Sequence, residues 1–193
     1  MKRELSCNWW KYLAVLLLPI LVWSTVFFLQ NKPERNECLR ILSVGSGLDT
    51  ERLQGDLTAL LPEMKEITVT QEPLQTAPGG DWLTSRLFYY DILIFPEPCC
   101  PENIGQNYFR RFGDSLSAAF SAVPTYTETA DGRELTYALR LAPSETRFSD
   151  YCDPEDVCLL FFSPESVDLG GENGGTDGNA AVIAAHFLSE AIP

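Results

Sequence analysis

Apolar positions recur along this chain in three patterns. The first is one long run, Tyr12 to Leu29 (YLAVLLLPILVWSTVFFL), uncharged and about the length a helix needs to cross the hydrocarbon core of a bilayer. The second is a set of short β-type runs: Leu39 to Val44, the β-branched stretch around Ile67 and Val69, Ile92 to Phe95, and Val157 to Phe162. The third is helical spacing. Leu53, Leu57, Leu60 and Leu61 recur on one face after Asp49, a candidate N-cap, with Leu48 placed to staple against Leu53 and Pro62 to stop the helix. Asp81 can cap a second helix carrying Leu83, Leu87 and Tyr90. A helix is expected from Gln106 to Phe120, interrupted or bent at Gly113, and the last helix has an apolar stripe of Ala180, Ile183, Ala184, Phe187, Leu188 and Ile192.

The elements therefore read strand, helix, strand, helix, strand from Leu39 to Phe95, the order of β-α-β units. Ile92-Leu93-Ile94-Phe95 is continuously apolar and stopped by Pro96 and Pro98, as a strand buried on both faces of a parallel sheet would be. Asp131-Gly132 signals a hairpin turn, and the strand after it alternates, with Leu135, Tyr137, Leu139 and Leu141 expected on a buried face. Val157 to Phe162 reads as another central strand. The fold class expected is α/β, a mostly parallel open sheet with flanking helices and one hairpin, preceded by a single transmembrane helix. Residues 1–11 form an N-terminal flank, 12–29 the membrane anchor, 30–37 a tether and 38–193 one domain.

Charge places the anchor. Lys2, Arg3 and Lys11 precede the run against Glu4 alone, whereas Lys32 and Arg35 after it are mixed with Glu34 and Glu37, so the positive-inside rule puts the N-terminus in the cytoplasm and the domain outside the cell membrane. Trp9, Trp10, Tyr12 and Trp23 supply rings suited to headgroup depth. The run ends in bulky residues, Val26-Phe27-Phe28-Leu29, instead of the small-x-small site of a cleaved signal, which favours retention. The formal net charge is -13, and setting aside Lys2, Arg3, Lys11 and Glu4 leaves 11 basic against 26 acidic residues, or -15, which argues against nucleic acid as a partner.

Candidate chemistry is sparse. Five of the six cysteines, Cys38, Cys99, Cys100, Cys152 and Cys158, follow the anchor without the C-x-x-C spacing of a zinc site, so no metal or other cofactor is expected. Cys152 and Cys158 flank the turn-like Asp153-Pro154-Glu155-Asp156 and could pair; reduced cysteines are the alternative. Gly45-Ser46-Gly47 lies between a strand and a helix but lacks the third glycine of a dinucleotide fingerprint and the lysine of a P-loop, so it reads as a tight turn. Glu172, Asn173, Asp177 and Asn179 offer oxygen ligands in a glycine-rich stretch, yet their spacing fits no EF-hand. His186, the one histidine, has no nucleophile-elbow sequence to serve, and a non-catalytic protein is expected.

Ile67-Thr68-Val69, Asp81-Trp82-Leu83-Thr84-Ser85-Arg86-Leu87, Tyr90-Asp91-Ile92-Leu93-Ile94-Phe95-Pro96-Glu97 and Asp131-Gly132-Arg133-Glu134-Leu135-Thr136-Tyr137-Ala138-Leu139 together resemble the first lobe of extracellular solute-binding proteins. The resemblance covers about Leu39 to Leu141, which leaves too little chain for two closing lobes. The chain also resembles small single-span proteins of Gram-positive bacteria that carry such a lobe and occur with ABC-transporter components. What this implies is an accessory domain beside an ABC transporter permease, holding a small solute or contacting the permease. An independent cell-surface interaction domain and a degenerate hydrolase are the alternatives. Because crevices in open α/β sheets form at the C-terminal ends of the strands, Ser46, Glu97 and Glu165 are the ligand or partner residues expected, delivered to one edge by the turns after their strands.

Overall fold

The computed structural model describes residues 2–45, 47–74, 80–113, 124–142, 146–151, 157–164, 166 and 178–188. It divides into two compact units, Met1–Glu34 and Arg35–Pro193. The first contains α1, Lys2–Asn31, within which Trp9–Gln30 is a stretch of 22 residues with mean hydropathy 2.3, long and apolar enough to cross a membrane. None of it is packed inside the structure.

The second unit is a three-layer α/β domain. One six-stranded sheet comprises β1 (Cys38–Val44), β2 (Glu66–Glu72), β3 (Ile92–Pro96), β4 (Thr125–Ala130), β5 (Arg133–Leu141) and β6 (Cys158–Phe162), in the order β2-β1-β3-β6-β5-β4. The helices are α2 (Thr50–Leu60), α3 (Gly80–Leu87), α4 (Ile104–Tyr108) and α5 (Gly178–Leu188). As the cap pattern predicts, the Asp49 carboxylate accepts from the Arg52 amide at 3.1 Å, and Leu48, Leu53 and Leu57 are buried together. The helix expected to be capped by Asp81 runs Gly80–Leu87, so Asp81 occupies its first turn and not the cap position.

The sheet is mixed, which corrects the mostly parallel sheet expected. β1 runs parallel to β2 and β3, but β3–β6, β6–β5 and β5–β4 are antiparallel. Continuous apolarity reports burial on both faces and carries no direction. In β6, Cys158, Leu160 and Phe162 join the core shared with α2 and α5, while Leu159 and Phe161 join the core under α3 and α4. After β3 the chain makes the short α4 and then the β4–β5 hairpin, whose return direction β6 reverses. Of the helix expected from Gln106 to Phe120, the first part falls in α4, which ends at Tyr108, Phe109 to Gly113 are not helical, and residues 114–123 lie outside the described residues.

The hairpin turn forms where Asp131-Gly132 predicts it, both residues having positive φ (53° and 74°), as a type I′ turn requires. The alternation after it breaks. Tyr126 pairs with Ala138 but Thr127 pairs with Thr136, so Tyr137 is the extra residue of a β-bulge. The bulge resets the faces: Leu135 and Tyr137 pack on the α3/α4 side, whereas Leu139 and Leu141 join the other core. Tyr137 needs Gly105 opposite it, since a Cβ there would lie 2.6 Å from the Tyr137 ring.

Asp91, buried at the start of β3, ties three segments. Its carboxylate accepts from the Arg40 amide at 2.8 Å and pairs with Arg35 at 3.0 Å; its backbone bonds to Arg40 O and to the Ser163 amide, each at 2.8 Å. Burial pushes its pKa up from 3.8, only partly countered by the Arg40 amide and the Arg35 charge. A carboxyl with a raised folded-state pKa contributes stability that is whole below 3.8 and is lost as pH rises through the folded value. Arg35→Ala should therefore destabilise the domain by about 1–3 kcal/mol near neutrality, through loss of a charged hydrogen-bond partner, and by less in acid. Urea midpoints of both proteins across a pH series check this; an effect that grows in acid would contradict it.

Candidate functional site

The parallel part of the sheet fixes where a site can form. β1 lies between β2 and β3: α2 leads from β1 out to β2, α3 leads from β2 back across β1 to β3, the chain after β3 goes on to the other side, and α2 and α3 cover opposite faces. Such a switch point opens at the C-terminal ends of β1 and β3. At that edge the chain turns at Gly45, with φ of 73°, and the Gly45 amide donates to Glu72 O at 3.0 Å. A Cβ on Gly45 would meet the Leu74 side chain at 2.9 Å and Pro96 at 3.5 Å. Glycine is thus required both by φ and by the closeness of its neighbours.

Glu97 stands at this edge, as expected. It opens the 3-10 turn Glu97–Cys99, its amide donates to Val157 O at 2.8 Å, and the Cys100 amide donates back to Glu97 O at 3.2 Å. The pairing of Pro96 and Pro98 around it makes the turn stiff. Its carboxylate is already occupied: Oε2 accepts from Nε and from Nη2 of Arg140, each at 2.9 Å. Both side chains are partly exposed, so the pair orients Glu97 more than it stabilises the fold.

Ser46 and Glu165 lie outside the described residues. The neighbours of Glu165 are informative, because β6 runs antiparallel to β3. Ser163 donates from its amide to Asp91 O at 2.8 Å and from its hydroxyl to Leu87 O at 3.0 Å, at the start of β3, whereas Glu97 follows its end. The turn after β6 is therefore at the edge opposite Glu97, which corrects the expectation that the turns bearing Ser46, Glu97 and Glu165 share one edge. Cys152 is also outside the described residues, and with it the Cys152–Cys158 pairing; Cys158 is buried at the start of β6. The glycine-rich stretch with Glu172, Asn173 and Asp177 is outside them as well.

Two polar assemblies escaped sequence reasoning. Behind Glu97, the buried Glu128 of β4 accepts from the α4 amides of Gly105 (2.8 Å) and Gln106 (2.7 Å) and from the Tyr126 hydroxyl (3.0 Å). Burial, then the hydrogen bond to Glu128, pushes the Tyr126 phenol up. Cys100, close by, is pushed up to about 12 by burial and by its anionic neighbours, so it stays a thiol and is a poor nucleophile. The second assembly joins α2 to α5: the Tyr151 hydroxyl donates to Asp56 at 2.8 Å and lies 2.6 Å from His186 Nε2. Burial pushes Tyr151 up to about 12 and pulls His186 below 6.5, a shift the Arg147 charge reinforces. A neutral His186 with its proton on Nε2 completes the chain by donating to the Tyr151 oxygen. Asp56 and Tyr151 are 95 positions apart, and no local pattern links them.

Among the described residues no group of three or more His, Cys, Asp or Glu side chains could hold a metal ion. No family model, curated protein or solved structure matches the chain.

Two expectations separate the structural carboxylates from the presented one. Glu97→Ala should change stability by no more than about 1 kcal/mol, as exposed pairs do, whereas Glu128→Ala should cost about 1–3 kcal/mol for each α4 amide left without an acceptor. Chemical denaturation of the two variants distinguishes them, and equal losses would refute the assignment. For His186, a folded-state pKa below 6.5 means stability present above that pH and lost as pH falls through the folded value. His186→Gln should remove part of that acid-side loss in a pH series of thermal midpoints; an unchanged slope would show that His186 titrates alike in the folded and the unfolded chain.

Proposed function

We propose that this chain is a membrane-anchored, non-catalytic extracytoplasmic domain that works beside an ABC transporter by contacting its permease. The observation that carries the reading is the shortness of the connection between the two units. α1 ends at Asn31 and the domain's own bonding begins at Arg35, which pairs with Asp91. Four residue steps reach at most about 14 Å. A domain held that short is restricted to partners at the membrane surface, and a permease is such a partner. The reading takes the N-terminus as cytoplasmic, from Lys2, Arg3 and Lys11.

The contact surface proposed is the edge at the switch point: Gly45, Leu74 and the Glu97–Arg140 pair, with Ser46 next to Gly45 in the chain. Leu74 is 41% exposed and offers an apolar centre, while Glu97 and Arg140 hold one another in a fixed geometry at its rim. A polar rim around an exposed apolar residue suits a modest protein interface. A small solute is the second ligand in this reading, and Ser46 and Glu97 are the groups it would meet.

Co-purification from native membranes after mild crosslinking tests the proposal. Transporter permease or ATPase subunits should be captured by the full chain, and capture should fall when Leu74→Asp and Glu97→Arg are combined, with the thermal transition kept. Capture without any transporter subunit, or capture indifferent to both changes, would overturn it. Protease added to intact cells should remove the domain, and protection of the domain would reverse the orientation.

A further inference from the structure

The turn that closes α3 leaves two aromatic rings in solvent. Phe88 is 69% exposed and Tyr89 53%, and their rings meet edge-on with centroids 5.4 Å apart. The turn beneath them is well held: the Tyr89 and Tyr90 amides both donate to Arg86 O at 2.9 Å, and Leu83 and Leu87 on the same helix are buried in the core. An adjacent pair of large exposed rings on a stiff turn is a costly feature for a domain facing water on all sides.

The turn's place in the fold indicates what covers it. The Arg35 guanidinium donates to the Tyr89 carbonyl at 3.4 Å while pairing with Asp91. Arg35 is also the residue at which the chain arrives from α1, only four steps past Asn31. The rings therefore lie near the point where the domain is tied to its membrane anchor. The Glu97 edge is at the other end of β3 from Asp91.

Charge decides which kind of surface fits. Lys32, Arg35 and Lys65 near the attachment point are offset by Glu34, Glu37 and Glu66, with Lys65 bonded to Glu37 at 2.7 Å. The domain as a whole is strongly acidic, so anionic lipid does not attract it. Aromatic rings with one polar handle nevertheless settle at the headgroup layer through their own amphipathic character.

We propose that the Phe88–Tyr89 turn is a second membrane contact, resting its rings in the zwitterionic headgroup layer of the bilayer that α1 spans. The inference rests on the membrane-anchored reading of α1 and not on a transporter.

The test uses the full chain in phosphatidylcholine vesicles carrying an alkyne-tailed phosphatidylcholine. A photoreactive benzoyl-phenylalanine is placed at Phe88, at Leu74 on the opposite edge, or at Val22 within α1. Lipid labelling at position 88 should exceed that at 74 several-fold and should not increase when phosphatidylglycerol is added. Labelling at 22 but not at 88 would overturn the docking while leaving the span; labelling at neither would remove the span as well. In native membranes, crosslinks from position 88 to protein in place of lipid would also overturn it. As a second measurement, Phe88→Ser with Tyr89→Ser alters exposed rings only and should speed cleavage after Glu34 by a glutamate-specific endopeptidase several-fold in vesicles; an unchanged rate would count against the proposal.

Discussion

A single buried carboxylate holds the domain's beginning to its centre. Asp91 stands at the start of β3, and its side chain and backbone together reach Arg35, Arg40 and Ser163. Arriving chain, first strand and the turn after the last strand are thereby fixed at one end of the sheet. An ionised carboxylate is costly to bury unless charge and hydrogen bonds compensate it, and Arg35 with the Arg40 amide supplies part of that compensation. The arrangement makes Arg35 part of the domain, although its position in a polar stretch after the apolar helix suggested a tether.

With that end fixed, the sheet separates two cores of different character. The side bearing α2 and α5 is mainly aliphatic, closed by Phe148, Tyr151 and Phe187. The side bearing α3 and α4 is aromatic, with Phe109 stacked on Phe161 at 4.3 Å and Phe95 and Trp82 packed edge-on around them. Strands β3 and β6 contribute to both, which is why every residue in them is buried. The ionisable groups follow the same economy. Glu128 supports α4, Asp56 and His186 are joined through Tyr151, and Glu72 pairs with Arg86 over the Trp82 ring. Glu97 differs in standing at the exposed edge of the switch point, in a proline-bounded turn and in the grip of Arg140.

Local patterns determined much of this architecture. The apolar run announced α1, Asp49 announced the start of α2, Asp131-Gly132 announced the type I′ turn, and the continuous apolarity of Ile92 to Phe95 announced a strand covered on both faces. Each depends on residues near in sequence, whose spacing and backbone preferences act before any tertiary contact exists. The edge at which Glu97 stands was legible as well, because parallel strands joined by β-α-β connections share one C-terminal edge.

Tertiary structure alone decided the rest. The direction of β6 is not written in its apolar residues, since a strand buried on both faces looks the same whichever way it runs; pairing with β3 and β5 set it, and that moved the turn after β6 away from Glu97. The bulge at Tyr137 broke an alternation that was clean in sequence, because the register with β4 and the close approach of Gly105 determine which face each side chain meets. The partners of Glu97, Glu128, Asp91 and Tyr151 lie 43, 23, 51 and 95 positions away. Periodicity reports which face of an element is buried, but only the packed fold brings together side chains so far apart along the chain.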